Sequence, residues 1–128
     1  MKKNIYYHDT DCGGVVYYAN YLKYLEEART EFMAERGVII KELHRKGFLF
    51  AVKRVEINYK SPAKYGDTLT IKTELDKVKP ASFFFKQSVL RGEETLVYAD
   101  TALVCINAEF KPQVIPLSVI KSLKRNVL

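Results

Sequence analysis

Between Asn20 and Gly37 the chain repeats its apolar residues with a helical period, and it does so over no comparable length elsewhere. Tyr21, Leu25, Ala28 and Phe32 fall on one face, flanked by Leu22 and Arg29. Glu26, Glu27, Glu31 and Glu35 take the other sides. With Asn20 as N-cap and Gly37 as the stop, this predicts one helix of about 16 residues. Its apolar stripe has to be covered. Only a sheet built from the rest of the chain is large enough to do it.

The remaining residues supply such a sheet. Val55, Ile57 and Tyr59 alternate with Arg54, Glu56, Asn58 and Lys60 until Pro62 breaks the run. Leu69, Ile71, Thr73 and Leu75 alternate with Thr70, Lys72, Glu74 and Asp76. The turns Lys79-Pro80-Ala81 and Arg91-Gly92-Glu93 bracket a strand from Ser82 to Leu90, and Thr95 to Asn107 forms the last and longest. Lys3 to Tyr7 reads as an opening strand. Ile39 to Lys46 reads as a short helix stopped by Gly47, and Val119, Ile120 and Leu123 mark another after Pro116. In the last strand Leu96, Tyr98, Ala102, Val104 and Ile106 lie on one side, with Val97, Leu103 and Cys105 on the other. A sheet apolar on both faces has a second cover, and a second subunit is the expected one. With no repeat or linker, residues 1–128 read as one α+β domain, a long central helix packed on an antiparallel sheet.

Composition narrows the function. The 21 Lys and Arg against 15 Asp and Glu leave +6, which favours an anionic partner: nucleic acid, an acidic membrane surface or a polyanionic small molecule. The basic residues are scattered apart from Lys121, Lys124 and Arg125, and they are not interleaved with aromatics in a nucleic-acid motif. No stretch approaches the roughly 20 apolar residues of a membrane span. The N-terminus has no apolar leader behind Lys2 and Lys3, so a cytoplasmic location is expected. Cys12 and Cys105 are the only cysteines; they read as reduced thiols, with no zinc set and no metal expected.

Chemistry concentrates in Tyr6-Tyr7-His8-Asp9-Thr10-Asp11-Cys12-Gly13-Gly14, immediately before the helix. A turn rich in Asp and Gly explains the composition without any function. The alternative is that a carboxylate sits beside the free N–H groups of a helix N-terminus, which polarise a carbonyl as an oxyanion hole does. A carboxylate there attacks the carbonyl carbon or deprotonates water. Such a site hydrolyses an activated acyl group with no cofactor. Cys12 reads as a small filler, His8 and His44 as surface residues, and Asp9 as a brace for the loop. Phe83, Phe84 and Phe85 read as strand core or subunit interface.

The run from Tyr6 to Phe32, YYHDTDCGGVVYYANYLKYLEEARTEF, resembles the signature of hotdog-fold acyl-CoA thioesterases of the 4-hydroxybenzoyl-CoA thioesterase and YbgC-like types. The likeness continues through Asn58 to Ala63 and Gly66-Asp67 and covers nearly the whole chain. It implies Asp11 as the catalytic carboxylate and Tyr7 as a wall of the site. Tyr18 would offer its backbone N–H to the thioester carbonyl; many YbgC-like members carry His there. It also implies coenzyme A contacts at Lys79 and Ser82, and a pantetheine channel bordered by Ala51 and Val52. The expected substrate is acyl-CoA, and the expected assembly is a dimer, or a tetramer as a dimer of dimers, with the site at the subunit boundary. A hydratase of the same fold would need a histidine paired with an acid. A non-catalytic partner of acyl-CoA or of an acyl carrier protein is the competing reading.

Overall fold

The structure, a computed structural model, describes residues 1–125, with the side chain of Arg125 outside what is described. The helical repeat forms α1 over Asn20–Glu35, 16 residues long. Gly37, at φ 81°, ends it by turning its N–H back to the Ala34 carbonyl. The start differs from the sequence expectation. Ala19 holds the cap position without a side-chain cap, and Asn20, already helical, donates its amide to the Asp9 carbonyl at 2.9 Å.

The strands are β1 (Lys2–Asn4), β2 (Leu49–Tyr59), β3 (Thr68–Lys79), β4 (Ser82–Arg91) and β5 (Glu94–Ile106); the short helices are α2 (Ile40–Arg45) and α3 (Leu117–Arg125). The strands form one antiparallel sheet in the order β1-β3-β4-β5-β2. β1 is shorter than expected because the Asp9 carboxylate captures the Tyr6 N–H and winds Tyr7–Asp9 into a 3-10 turn. β2 is longer than its alternation suggested, starting at Leu49 and passing a bulge between Val52 and Arg54.

One face of the sheet carries α1. Tyr21, Tyr24, Leu25 and Ala28 pack on Leu69, Ile71, Val89, Val97 and Ala99, while Phe32 and Met33 meet Phe83, Phe85, Leu103 and Cys105 beside α2 and α3. Each large side chain buried there contributes roughly 2 kcal/mol. Within this layer Arg29 is only 6% exposed and lies in no ion pair among the described residues. Burial lowers its pKa, which the nearby Glu26 charge partly offsets. Its Nη1 donates to Oε1 of Gln87 at 3.1 Å. The Gln87 amide nitrogen donates to the Leu25 carbonyl at 2.9 Å and to Thr73 Oγ1 at 3.1 Å. One β4 side chain thus ties α1 to β3 and satisfies the guanidinium at the same time.

The opposite face is not the second apolar surface expected. Register places Lys72, Glu74, Lys86, Asp100, Arg54, Glu56 and Asn58 there, with exposed Tyr98; Phe84, Ala102, Val104 and Ile106 make it apolar only toward one end. Leu96 does not share that face: the irregularity between Val89 and Leu90 leaves both Leu96 and Val97 fully buried. The helix-on-sheet arrangement is the hotdog architecture.

Gln87→Leu removes the acceptor of a buried guanidinium and the donor to a helix carbonyl. It is expected to lower the urea-unfolding free energy by about 3 kcal/mol. Arg29→Met together with Gln87→Leu is expected to recover part of that loss, checked by the same titration as a double-mutant cycle.

Candidate functional site

The loop that precedes α1 is organised by Asp9, which is buried. Its Oδ2 accepts the Tyr6 N–H at 2.9 Å and its Oδ1 accepts the Tyr24 hydroxyl at 2.8 Å. Its carbonyl accepts both the Asn20 amide and the Tyr17 N–H, at 2.9 and 3.0 Å. Burial pushes the Asp9 carboxyl up, but those two donors with the charges of His8 and Lys3 outweigh it, and the net pKa lies below the usual carboxylate value. The partner phenol of Tyr24 is pushed far above its ordinary value by burial and by the same carboxylate. Asp9 therefore braces the loop, as its sequence position suggested.

Asp11 is held differently. It is exposed, at the start of a tight hairpin closed by the Asp11 N–H on the Val15 carbonyl at 2.9 Å and by the Thr10–Val16 bridge. Its Oδ1 accepts the Gly13 N–H at 2.8 Å. A Cβ at residue 13 would stand 3.2 Å from that oxygen, and residue 14 turns at φ 81°. The Gly-Gly pair is what lets the backbone come close enough to fix the carboxylate. A second turn supports the hairpin from outside. Val15 bridges Lys64, and that turn is pinned by Asp67, which accepts the Lys64 N–H at 2.9 Å and Arg91 Nη1 at 2.7 Å.

Next to the hairpin, α1 opens without a cap. The N–H groups of Tyr18 and Ala19 have no acceptor among the described residues, while the Tyr18 carbonyl takes the Tyr21 N–H and, at 3.4 Å, the Tyr59 hydroxyl. Around this end stand exposed tyrosines. Tyr18, 63% exposed, meets Tyr17 and Tyr59, and Tyr7, 77% exposed, meets Tyr65 edge-on. Val16, Tyr18, Tyr21, Tyr59, Lys60, Ser61 and Pro62 line an open cleft of about 230 Å³. Burial, with Tyr18 adjacent, raises the Tyr59 phenol. Sequence reasoning missed Tyr59, Lys60 and Tyr65. The available signal was Tyr59 closing β2 on the helix-facing parity, directly before a proline turn.

Lys79, Ser82, Ala51 and Val52 lie elsewhere. Lys79 pairs with Ser82, Ser82 with Val104 and Val104 with Ala51, so three of them form one transverse row across the sheet, with Val52 beside it on Leu103. The hairpin of Asp11 is tied to the beginning of β3 and this row to its end. The 12 residues of β3 separate the two groups by on the order of 35 Å. Tyr7, Asp11 and Tyr18 thus all lie on the segment leading into α1, at the end of the sheet away from Lys79 and Ser82. Lys77 and Lys79 both stand over the Phe84 ring, at 4.8 and 5.4 Å from its centroid.

The other singled-out residues are placed plainly. His8 is exposed and stacked on Tyr6, and His44 is exposed on α2. Cys12 is an exposed free thiol, and Cys105 a buried one whose pKa burial raises. Phe83 and Phe85 are core, whereas Phe84 faces away from α1. Among the described residues no group of His, Cys, Asp and Glu is arranged to hold a metal, and no helix is long and apolar enough to cross a membrane.

The family model described as Thioesterase superfamily matches residues 13–98. The acyl-CoA thioester hydrolase YbgC of Escherichia coli is 34% identical, over 94% of this chain and 92% of its own length. The acyl-CoA thioesterase YbgC of Haemophilus influenzae is 37% identical over 90% of this chain and 86% of its own. The crystal structure of a probable thioesterase from Bartonella henselae superposes with a TM-score of 0.86 at 38% identity, covering 91% of this chain and 97% of that one.

Because the Asp9 carboxyl is depressed, its contribution to stability is present above the unfolded value near pH 4 and lost as pH falls through the lower folded value. Asp9→Asn is expected to cost about 1–2 kcal/mol at neutral pH. Urea unfolding at successive pH values is expected to show the gap between the two proteins narrowing below roughly pH 4.

Proposed function

The chain belongs to the thioesterase superfamily, and from that premise we propose that it hydrolyses acyl-CoA thioesters to the free acid and coenzyme A. The carrying observation is the exposed Asp11 carboxylate, fixed by the Gly13 N–H in a hairpin bonded to an uncapped helix start. The N–H of Tyr18 receives the thioester oxygen as it gains negative charge, with the positive end of α1 behind it. Asp11 takes a proton from water as the water oxygen attacks the carbonyl carbon, or attacks that carbon itself and is released by water in a second step. In either route the carbon–sulfur bond breaks and coenzyme A leaves as the thiolate, then takes up a proton. Tyr7 lines the approach, and the cleft at Tyr18 and Tyr59 receives the acyl group.

The coenzyme A end of the substrate is assigned to Lys79 and Ser82, with Ala51 and Val52 along the pantetheine. The separation within one protomer supports a site shared by two copies. β2 is an edge strand, and Val52 and Val55 are exposed on it. Antiparallel pairing of β2 with its symmetry mate sets the Tyr59 end of one copy against the Leu49 end of the other, and the two half-sites meet.

Asp11→Asn is expected to lower kcat by at least about 100-fold across a panel of short, long and aromatic acyl-CoAs, with the fold unchanged by circular dichroism. Activity equal to wild type in that variant, or no turnover of any ester by wild type, rejects the reading. Lys79→Glu is expected to raise KM about tenfold with kcat nearly kept. Mixing Asp11→Asn with Lys79→Glu subunits, after unfolding and refolding, is expected to give about a quarter of the sites wild-type kcat and KM together if each site draws on both copies. No restoration places both residues in a site of one chain.

A further inference from the structure

At the end of the sheet remote from Asp11, one segment turns apolar side chains outward. Phe110 occupies the tip of the loop between β5 and α3 and is 78% exposed. Its φ is 64°, a left-handed conformation that costs a bulky residue energy and persists only when its surroundings impose it. Asn107 imposes it: its Oδ1 accepts the N–H groups of Glu109 and Lys111 at 2.9 and 3.1 Å, and its carbonyl accepts the Phe110 N–H at 2.9 Å. The strained turn holds an aromatic ring in solvent.

The chain then runs extended, and Val114 faces out between two anchored neighbours. The Gln113 amide is bound to the Gly47 and Ile106 carbonyls, and Ile115 is buried with its N–H on the Pro80 carbonyl. Val114 is 68% exposed and Leu117, at the start of α3, is 63% exposed. Leu117, Lys121 and Lys124 follow at i, i+4 and i+7, so they share the outward face of α3 opposite its buried Val119 and Leu123. Exposed Lys111 adjoins Phe110, and Lys46 precedes the glycine that Gln113 binds. Glu109 is the one acid in the exposed 109–124 segment.

We propose that this segment docks the protein peripherally on an anionic phospholipid surface, with Phe110, Val114 and Leu117 entering the headgroup region. Lys111, Lys121 and Lys124 would lie at the level of the phosphates. The apolar residues project from a loop tip and a helix start instead of lining a groove. Exposed apolar side chains spaced along one segment fit a fluid interface, and the flanking lysines give it a preference for negative lipids. No span is inserted. The inference stands apart from the hydrolytic reading, because none of these residues belongs to the proposed site.

The test is sedimentation of the full chain with vesicles of phosphatidylcholine alone and of phosphatidylcholine mixed with phosphatidylglycerol. Wild type is expected to partition at least about tenfold more strongly onto the anionic vesicles and to be released as salt shortens the screening length. The double change Lys121→Glu and Lys124→Glu is expected to abolish that preference, at roughly fivefold or more per lysine. Phe110→Ser is expected to weaken binding severalfold while leaving salt sensitivity in place. Circular dichroism checks that each variant is folded, which their exposure leads one to expect. Equal binding to both vesicles, binding to neither, or variants that bind like wild type overturn the proposal. Retention on an immobilised acidic carrier protein without vesicle binding overturns it in favour of a protein partner.

Discussion

A buried aspartate with four donors around it, two on its carboxylate and two on its carbonyl, sets the geometry of the loop at the proposed site. Asp9 takes the Tyr6 N–H and the Tyr24 hydroxyl on its side chain, and the Asn20 amide and Tyr17 N–H on its carbonyl. These bonds reach the segment after β1, the second turn of α1 and both sides of the helix start. Because its acceptors are turned inward, Asp9 has none to spare for a substrate. Asp11, two residues on, keeps most of its acceptor capacity and points to solvent. One carboxylate is committed to structure, and its neighbour stays open to solvent, where the proposed reaction would use it. The same bonds explain the missing cap on α1, since Asn20, the natural capping residue, is employed on Asp9.

The sheet divides labour along its length. Its Thr68 end holds the carboxylate, the open helix terminus and the tyrosines. Its Lys79 end holds the lysines over Phe84, the small residues of the transverse row and the exposed Phe110 loop. In the proposed reaction a long substrate with a polyanionic head and a reactive thioester would reach both ends with a second copy reversed beside the first. The exposed edge of β2 is where reversal costs least, because its N–H and C=O groups already await partners.

Much of this could be read before any coordinates. The helix over Asn20–Glu35 follows from a repeat of period near 3.6, β3 from alternation and β4 from the turns that bracket it. Both signals depend on one buried face, so they are local and legible. Boundaries and faces were less so. The end of β1 was misjudged because Asp9 diverts the Tyr6 N–H, a competition that alternation does not record. The sheet's second face was misread because Leu96 sits at an irregularity that changes its parity, and because Lys72, Glu74, Lys86 and Asp100 come from strands distant in sequence. Tyr7, Asp11 and Tyr18 belong to one contiguous motif, so the sequence alone proposes them together. Tyr59 and Tyr65 arrive from β2 and the turn after it, and only folding makes them neighbours.

The Gln87 side chain has a consequence for how this sequence can change. The residue must accept from Arg29 and donate to both Leu25 and Thr73. Glutamate lacks the donors, lysine lacks the acceptor, and asparagine is a methylene short. With arginine at 29, no other side chain does all three tasks. Positions 29 and 87 are thus bound to drift as a pair, and lineages that abandon one are expected to have replaced both with apolar residues.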